Sequence, residues 1–293
     1  MIGKIGISLV LTIIILSTIF TIFASTDNSS KLSVNKEYKQ IGYFNFGKEV
    51  DDKLFEILVK YEEFVRLYEN DTYGYEKLLG YPMYLFAYGY MYYDLYNITS
   101  SNLFLKKFWR CVNFSLAVRN SDWTWTGDIG YPFKSSLYNF MAYELYIRAY
   151  EISRNSTYLN YARNSLLGFT NASFSISHTY NANIFVGCEI VDYIMRFGNE
   201  SVLYNLARKC FEFSLRGIEG IKWYYTEADF HAKNYYGRSA FYQNLVIASI
   251  MEVSEGIKSL YPKIWNSLGE KLPDMFNLTL EYLNSILHMV LSG

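Results

Sequence analysis

From Leu54 onward the apolar positions fall three and four residues apart. Leu54, Ile57, Leu58, Tyr61, Phe64, Val65 and Tyr68 form one stripe of an amphipathic helix. Similar stripes continue almost to the C terminus, and no segment is rich in strand pattern. The stripes also repeat. "YNFMAYELYIRAYEISRNSTYLNYARNSLL" from Tyr138 and "NIFVGCEIVDYIMRFGNESVLYNLARKCFE" from Asn183 align without a gap, pairing Phe140 with Phe185, Leu145 with Ile190, Asn155 with Glu200, and Ala162-Arg163 with Ala207-Arg208. "YLFAYGYMYYDLYNITSSNLFLKKFWRCVNF" from Tyr84 and "FYQNLVIASIMEVSEGIKSLYPKIWNSLGEKL" from Phe241 follow the same plan more loosely. Each unit reads as helix, short polar turn, helix, with a period of about 45–55 residues, in the range of helical repeat arrays. "GYP" at Gly80-Tyr81-Pro82 and again at Gly130-Tyr131-Pro132 precedes two of these units. Proline suits the first turn of a helix and forbids continuation backward.

The first helix of each hairpin is the more apolar and aromatic, which predicts an inner layer; the second carries lysine and arginine on an outer face. Such hairpins stack as an open solenoid or curl into a toroid. Turns inside hairpins are short ("YNITSSN", "SRNSTY", "FGNESV"), whereas the connections between them are long and aromatic: "RNSDWTWTGDIGYPF", "TNASFSISHTYNA" and "GIEGIKWYYTEADFHAKNYYG". In an up-down array the long connections gather on one rim, and loops longer than about 12 residues are more often functional than not. The expected fold is all-α: an (α/α) toroid or incomplete toroid of helical hairpins over residues 48–293.

The N terminus changes the picture of where this domain works. "MIGKIGISLVLTIIILSTIFTIFAS" carries one lysine before an uncharged apolar run from Ile5 to Ala24, so residues 1–25 read as a secretory signal or a membrane anchor. Lys4 would keep the leading end cytoplasmic and place the rest outside. Residues 26–47 are polar and patternless, a linker. Sequons begin at Asn28, Asn70, Asn97, Asn113, Asn155, Asn171, Asn199 and Asn277, which favours a glycosylated exoprotein; the composition would suit an archaeal cell surface.

Lysine plus arginine (27) balances aspartate plus glutamate (28) with no long basic run, so no footprint for nucleic acid is present. The hydrophobic content of 51% supports a sizeable core, and 30 tyrosines suit wet, ring-shaped ligands as well as half-exposed packing. Three cysteines, Cys111, Cys188 and Cys210, are too few for a disulfide scaffold. Cys188 and Cys210 stand equally far either side of Asn199, where a hairpin turn would bring them level; both also sit on apolar stripes, where buried free thiols are common. No CxxC or His/Cys cluster points to a metal, and no cofactor is expected.

Between about Asp122 and Glu255, "DWTWTGDIGYPF", "YELYIRAYEISRNSTYLNYA", "HTYNANIFVGCEIV" and "KWYYTEADFHAKNYYGRSAFYQNLVIASI" follow an order that resembles α/α-toroid carbohydrate-active proteins. The last piece is similar to the C-terminal domain of glucuronyl C5-epimerases, where a W-x-Y element precedes a tyrosine-rich helix start. "TYNANI" resembles toroid proteins of polysaccharide biosynthesis and lyase-like chemistry. About half the chain is covered. The resemblance implies a polysaccharide or glycan ligand and C5-epimerase- or lyase-like proton transfer. An epimerase of that kind would be expected to carry an N-terminal β domain, and no strand-rich segment here supplies one.

Such chemistry needs a base, an acid and a donor or cation for the enolate-like state. His231, Tyr235, Tyr236 and Arg238 lie within one short stretch at a loop-to-helix junction, and His178, Tyr180 and Asn181 occupy the equivalent junction one repeat earlier. A glycosidase would instead need two carboxyl groups about 5–9.5 Å apart, for which Asp128 with Glu227 or Asp229 is the available pair. Trp123, Trp125, Tyr131, Trp223, Tyr224 and Tyr225 are candidates to stack on sugar rings. A third reading keeps the aromatic rim without the acid–base set: a cell-surface glycan-binding or scaffold protein. Beyond a glycan, the expected partner is the membrane, through an uncleaved leader.

Overall fold

A computed structural model of the chain describes residues 82–126, 134, 137–172, 179–198, 200–236 and 238–292. The leader, the linker and the helix expected from Leu54 lie outside them. The described residues are mostly helical, as the three- and four-residue periodicity predicts, and they belong to two compact units divided between Ser175 and Ile176. No helix among the described residues is long and apolar enough to cross a membrane.

The first unit holds two antiparallel hairpins: α1 (Pro82–Thr99) with α2 (Asn102–Val118), and α3 (Leu137–Ser153) with α4 (Ser156–Gly168), closed by a 3-10 turn at Phe169–Asn171. As the sequence predicts, the first helix of each hairpin is the more buried. Leu85, Phe86, Tyr92 and Leu95 of α1 and Tyr143, Leu145 and Tyr146 of α3 are all fully buried. The α1 and α3 helices contact each other directly, and each also packs on its own outer helix.

Both hairpin turns are built alike. At the end of α1, Thr99 donates its hydroxyl to the Leu95 carbonyl and accepts from the Ser101 N–H, while Ser101 caps α2 by accepting from the Leu103 N–H. In the next hairpin Ser153, Asn155 and Thr157 make the same three bonds with Ala149 as the carbonyl partner. One residue in each turn, Ser100 (φ 54°) or Arg154 (φ 56°), takes the left-handed conformation that ends a helix. The motifs "TSSN" and "SRNS" therefore specify the turn, and a hydroxyl or amide at the cap satisfies the orphan N–H groups of the outer helix.

The second unit begins with a third hairpin, α5 (Tyr180–Phe197) and α6 (Ser201–Leu215), whose turn uses Gly198 at φ 109°. The loop that follows is more structured than its sequence pattern indicates. Two-residue strands β1 (Ile218–Glu219) and β2 (Lys222–Trp223) pair antiparallel, and Thr226 then caps a single helical turn, α7 (Glu227–His231). The helix α8 (Arg238–Glu252) packs on α5 and on the last helix, α11 (Leu272–Ser292).

The fourth repeat departs from a plain hairpin. Its outer arm is broken into α9 (Ser254–Leu260) and α10 (Pro262–Leu268), because Val253 and then Tyr261 leave helical geometry and Pro262 can only open a new helix. All three cysteines are buried and none is in a disulfide. Burial pushes the thiols of Cys188 and Cys210 above their ordinary range, so both behave as small apolar core residues.

Candidate functional site

The long loop from Gly217 to Gly237 folds because its polar groups are tied to the helices around it. Gln243 of α8 accepts the Trp223 N–H at 2.6 Å and donates to the carbonyls of Ile221 at 3.2 Å and Met275 at 2.8 Å. Ser239 accepts the Tyr225 N–H at 2.9 Å, and the Tyr180 N–H donates to the Tyr225 carbonyl at 3.0 Å. A residue bridge between Thr179 and Thr226 completes the attachment. The loop thereby joins the start of α5 to the start of α8.

Over this frame lies a cluster of tyrosines. Tyr224 sits edge-on to Tyr235 with ring centroids 5.9 Å apart, Tyr235 edge-on to Tyr236 at 5.4 Å, and Tyr236 faces Tyr282 of α11 at 6.0 Å. The Lys222 ammonium stands 5.6 Å from the Tyr235 ring centroid and 5.7 Å from that of Tyr236, and it forms no ion pair among the described residues. Tyr236 is 62% exposed and Tyr235 only 1%. Among the described residues the Tyr235 hydroxyl has no hydrogen-bond partner. Burial, then the neighbouring Tyr236, Tyr224 and Tyr282, push its phenol well above the ordinary tyrosine range, so it stays protonated and can donate a hydrogen bond at neutral pH. At the edge of the cluster Glu219 accepts from the Lys233 ammonium and, at 3.1 Å, from the Tyr224 hydroxyl. These bonds hold the Glu219 carboxyl below its usual range.

The other sequence-selected residues take different places. Trp125 and Trp223, read as sugar-stacking candidates, are core anchors: Trp125 is fully buried and Trp223 is 2% exposed, and neither presents a face to a ligand. Each donates its indole N–H to a carbonyl near the end of the preceding outer helix. Trp123, half-buried, packs on Tyr161 and beneath the Arg119 guanidinium, whose central carbon is 4.1 Å from the ring centroid.

Tyr180 and Asn181 are each 3% exposed; the Tyr180 ring packs on Phe213, and the side-chain carbonyl of Asn181 is buried with no partner among the described residues. Tyr225 stacks on Tyr242 at 4.6 Å. Asp229 is buried and bound to its own helix cap, its carboxylate accepting from the Thr226 hydroxyl at 2.7 Å. Glu227 opens the same turn and, after burial, is the main reason the Tyr180 phenol is raised. His231 ends the turn, exposed, with its ring edge-on to Phe230. Asp128, Tyr131, His178 and the side chain of Arg238 lie outside the described residues. The structure thus brings Tyr235 and Tyr236 together, commits Asp229 to a cap and turns Trp223 inward.

Sequence reasoning passed over Lys222 and Tyr282, which complete the cluster, and a second ionic group in the first unit. There Arg148 of α3 pairs with Glu144 and lies 4.5 Å from the Tyr90 ring centroid, and Tyr93 of α1 donates its hydroxyl to Glu151 at 2.8 Å. Asp94 of α1 faces this group, and its carboxyl is raised to about 6 by burial, an effect that Arg148 opposes and Glu144 reinforces. The signal for it was present: an acid in the middle of the most apolar helices. Among the described residues no group of three His, Cys, Asp or Glu side chains is placed to hold a metal. Compared with known protein families, curated proteins and solved structures, the chain matches none.

Proposed function

We propose that the chain is an extracytoplasmic glycan-binding protein whose site is the tyrosine cluster around Lys222, and that its ligand is an acidic, uronate-bearing glycan. The observation that carries the reading is the Tyr235 hydroxyl, buried and without a hydrogen-bond partner among the described residues, beside the Lys222 ammonium and an exposed ring. A buried hydroxyl without a bond is costly, and a sugar carboxylate or hydroxyl would supply the missing acceptor. Tyr236 offers the flat apolar face on which sugar rings stack, and Lys222 offers the charge. The leader and the sequons support an extracytoplasmic location, and the hairpin repeat supports the (α/α) toroid, complete or incomplete, as the frame of the site.

Uronate proton transfer, epimerase- or lyase-like, is the second reading, favoured by the same tyrosines and by the family resemblance. Tyr235, which its raised phenol keeps protonated, would serve it as a hydrogen-bond donor to the enolate-like oxygen. Hydrolysis by Asp128 with Glu227 or Asp229 draws less support, because Asp229 is already bound to Thr226.

The test is calorimetric titration of the full chain with uronate oligosaccharides and their carboxyl-reduced counterparts, followed by assay for unsaturated products and for solvent deuterium at C5. Tight binding of the acidic series with no turnover supports the binding protein; turnover lost in Tyr235→Phe supports the second reading. No binding of either series would sink both.

A further inference from the structure

The sequence offers sequons as equals, but the fold separates them. All five sequon asparagines among the described residues, Asn97, Asn113, Asn155, Asn171 and Asn277, are exposed. Exposure of the asparagine is half of what a glycosyl transferase needs. The enzyme must also reach the hydroxyl two residues on, with the tripeptide drawn out of helical geometry.

Asn155 comes nearest to meeting both conditions, because its sequon straddles a helix start: Asn155 is outside the helix and only the exposed first two residues of α4 would have to fray. The residue is the extended cap before α4 (φ −87°, ψ 115°), its side-chain oxygen accepts the Thr157 N–H, and Ser156 and Thr157 are exposed. The Thr157 hydroxyl makes no bond to the described residues. The side-chain nitrogen of Asn155, where a glycan attaches, is left free by the cap. Asn97 is intermediate: Thr99 is exposed and ends α1, although its hydroxyl is bonded to Leu95.

Asn113 and Asn277 fail the second condition. Asn113 lies inside α2, and its partner hydroxyl, on Ser115, is fully buried and bonded to the Val112 carbonyl at 2.7 Å and to the Tyr146 hydroxyl at 2.9 Å. Asn277 lies inside α11, and the Thr279 hydroxyl is likewise fully buried and bonded to the Phe276 carbonyl at 2.8 Å. Reaching either would require unwinding a helix whose flanking residues, Cys111 and Val112 in the first case and Met275 in the second, are fully buried core. Openings of that kind approach global unfolding.

We infer that the folded chain is an N-glycosylation substrate at the hairpin turn of Asn155, and to a lesser extent at Asn97, whereas Asn113 and Asn277 accept a glycan only before the chain folds. This inference rests on the extracytoplasmic reading for its setting and on local geometry for its pattern. In the reaction the donor is a polyprenyl-(pyro)phosphate-linked oligosaccharide. The bond between sugar C1 and the phosphate oxygen breaks, a bond between C1 and Asn155 Nδ2 forms, the amide proton passes to a base of the transferase, and the lipid (pyro)phosphate leaves.

The experiment incubates unglycosylated full-length chain, folded or urea-unfolded, with a single-subunit oligosaccharyltransferase and its lipid-linked donor, and reads occupancy of each site by peptide mass spectrometry. The folded chain should be modified at Asn155 first and at Asn97 more slowly, with Asn113 and Asn277 at least about a hundredfold slower; the unfolded chain should be modified at all four at comparable rates. Ser115→Thr, which keeps a sequon, should not open Asn113 in the folded chain. Equal rates at Asn113 and Asn155 in the folded protein would overturn the inference, as would modification confined to Asn113 or Asn277. The extracytoplasmic reading is tested separately, on chain isolated from its own cell: no glycan at any site there would count against the location, while the in vitro ranking of sites would still decide the structural claim.

Discussion

The indole N–H of Trp223 donates to the backbone carbonyl of Ser214 at 3.0 Å, tying the loop after α6 to the end of that helix. Trp125 makes the same bond to Ser115 at 3.0 Å after α2, and both serines are fully buried with their hydroxyls bonded to an inner helix residue, Tyr180 or Tyr146. The device recurs because "FSL" stands at or near the end of both outer helices and a tryptophan follows in the loop. Trp223→Phe keeps much of the ring but removes the donor and leaves a void, so it should lower unfolding stability by about 1–3 kcal/mol. Urea denaturation checks this, with Tyr236→Phe, at an exposed ring, as the control expected to stay within about 0.5 kcal/mol. Equal stability of the two variants would mean that Trp223 is not an anchor.

A second consequence concerns α4, whose C-terminal turn closes against the loop that carries Trp123. A Cβ placed on Gly168 would stand 2.2 Å from the Trp123 carbonyl oxygen, and that oxygen is also held by the Asn139 side chain at 2.8 Å. Because the obstacle is backbone rather than a flexible side-chain end, Gly168→Ala should cost about 2 kcal/mol or more, in the range of an overpacked core. The melting temperature of Gly168→Ala against wild type decides it, and an unchanged value would refute the close approach.

Much of this architecture was legible in the sequence, for physical reasons that also explain the gaps. The three inner helices up to α5 announce themselves through long apolar stripes, and their turns through the hydroxyl and amide residues that cap them, such as Ser101 and Asn155. Strands β1 and β2 are two residues each, too short to show any alternation, so the loop containing them looked irregular. Trp125 and Trp223 looked like rim aromatics because composition cannot tell an indole facing a ligand from one whose N–H is bonded to a carbonyl beneath it. The echo of "FSL" before a tryptophan was the available clue. In the tyrosine cluster, Tyr235 and Tyr236 were found as chain neighbours, but Tyr282 arrives from α11, and only the packing of that helix on α8 brings it there.

Helix ends offer a gain rather than a loss. Ser100 sits at φ 54°, a conformation that glycine adopts without the steric penalty of a Cβ. Its exposed side chain makes no hydrogen bond to the described residues, so Ser100→Gly should stabilise the chain by up to about 1 kcal/mol. At Asn155 the direction reverses: Asn155→Ala loses the cap bond to Thr157 and should cost about 1 kcal/mol, while Asn155→Ser keeps a capping oxygen and should cost little. Chemical denaturation of unglycosylated protein separates these effects, and a destabilised Ser100→Gly would contradict the assigned backbone geometry.

The carboxyl of Asp94 makes stability depend on pH in a direction opposite to that of most acids. Burial raises it from 3.8 to about 6 in the folded chain, with Arg148 pulling the other way. The folded state therefore holds a proton between those values that the unfolded state has released. By linkage, the contribution of Asp94 is at its best below about pH 4, falls as pH rises through the window, and is lost above about pH 6. The full swing for a shift of this size is at most about 3 kcal/mol, and the half-buried position of Asp94 makes about 1–2 kcal/mol the expected value. Asp94→Asn cannot ionise, so it should be more stable than wild type at pH 7.5 and close to it at pH 4. Urea unfolding of both proteins at the two pH values measures this directly. If the difference between them does not change with pH, the Asp94 carboxyl is not raised by folding, and the inner face of α1 and α3 carries a charged carboxylate across the whole window from about pH 4 to about pH 6 instead of a neutral acid beside an ion pair.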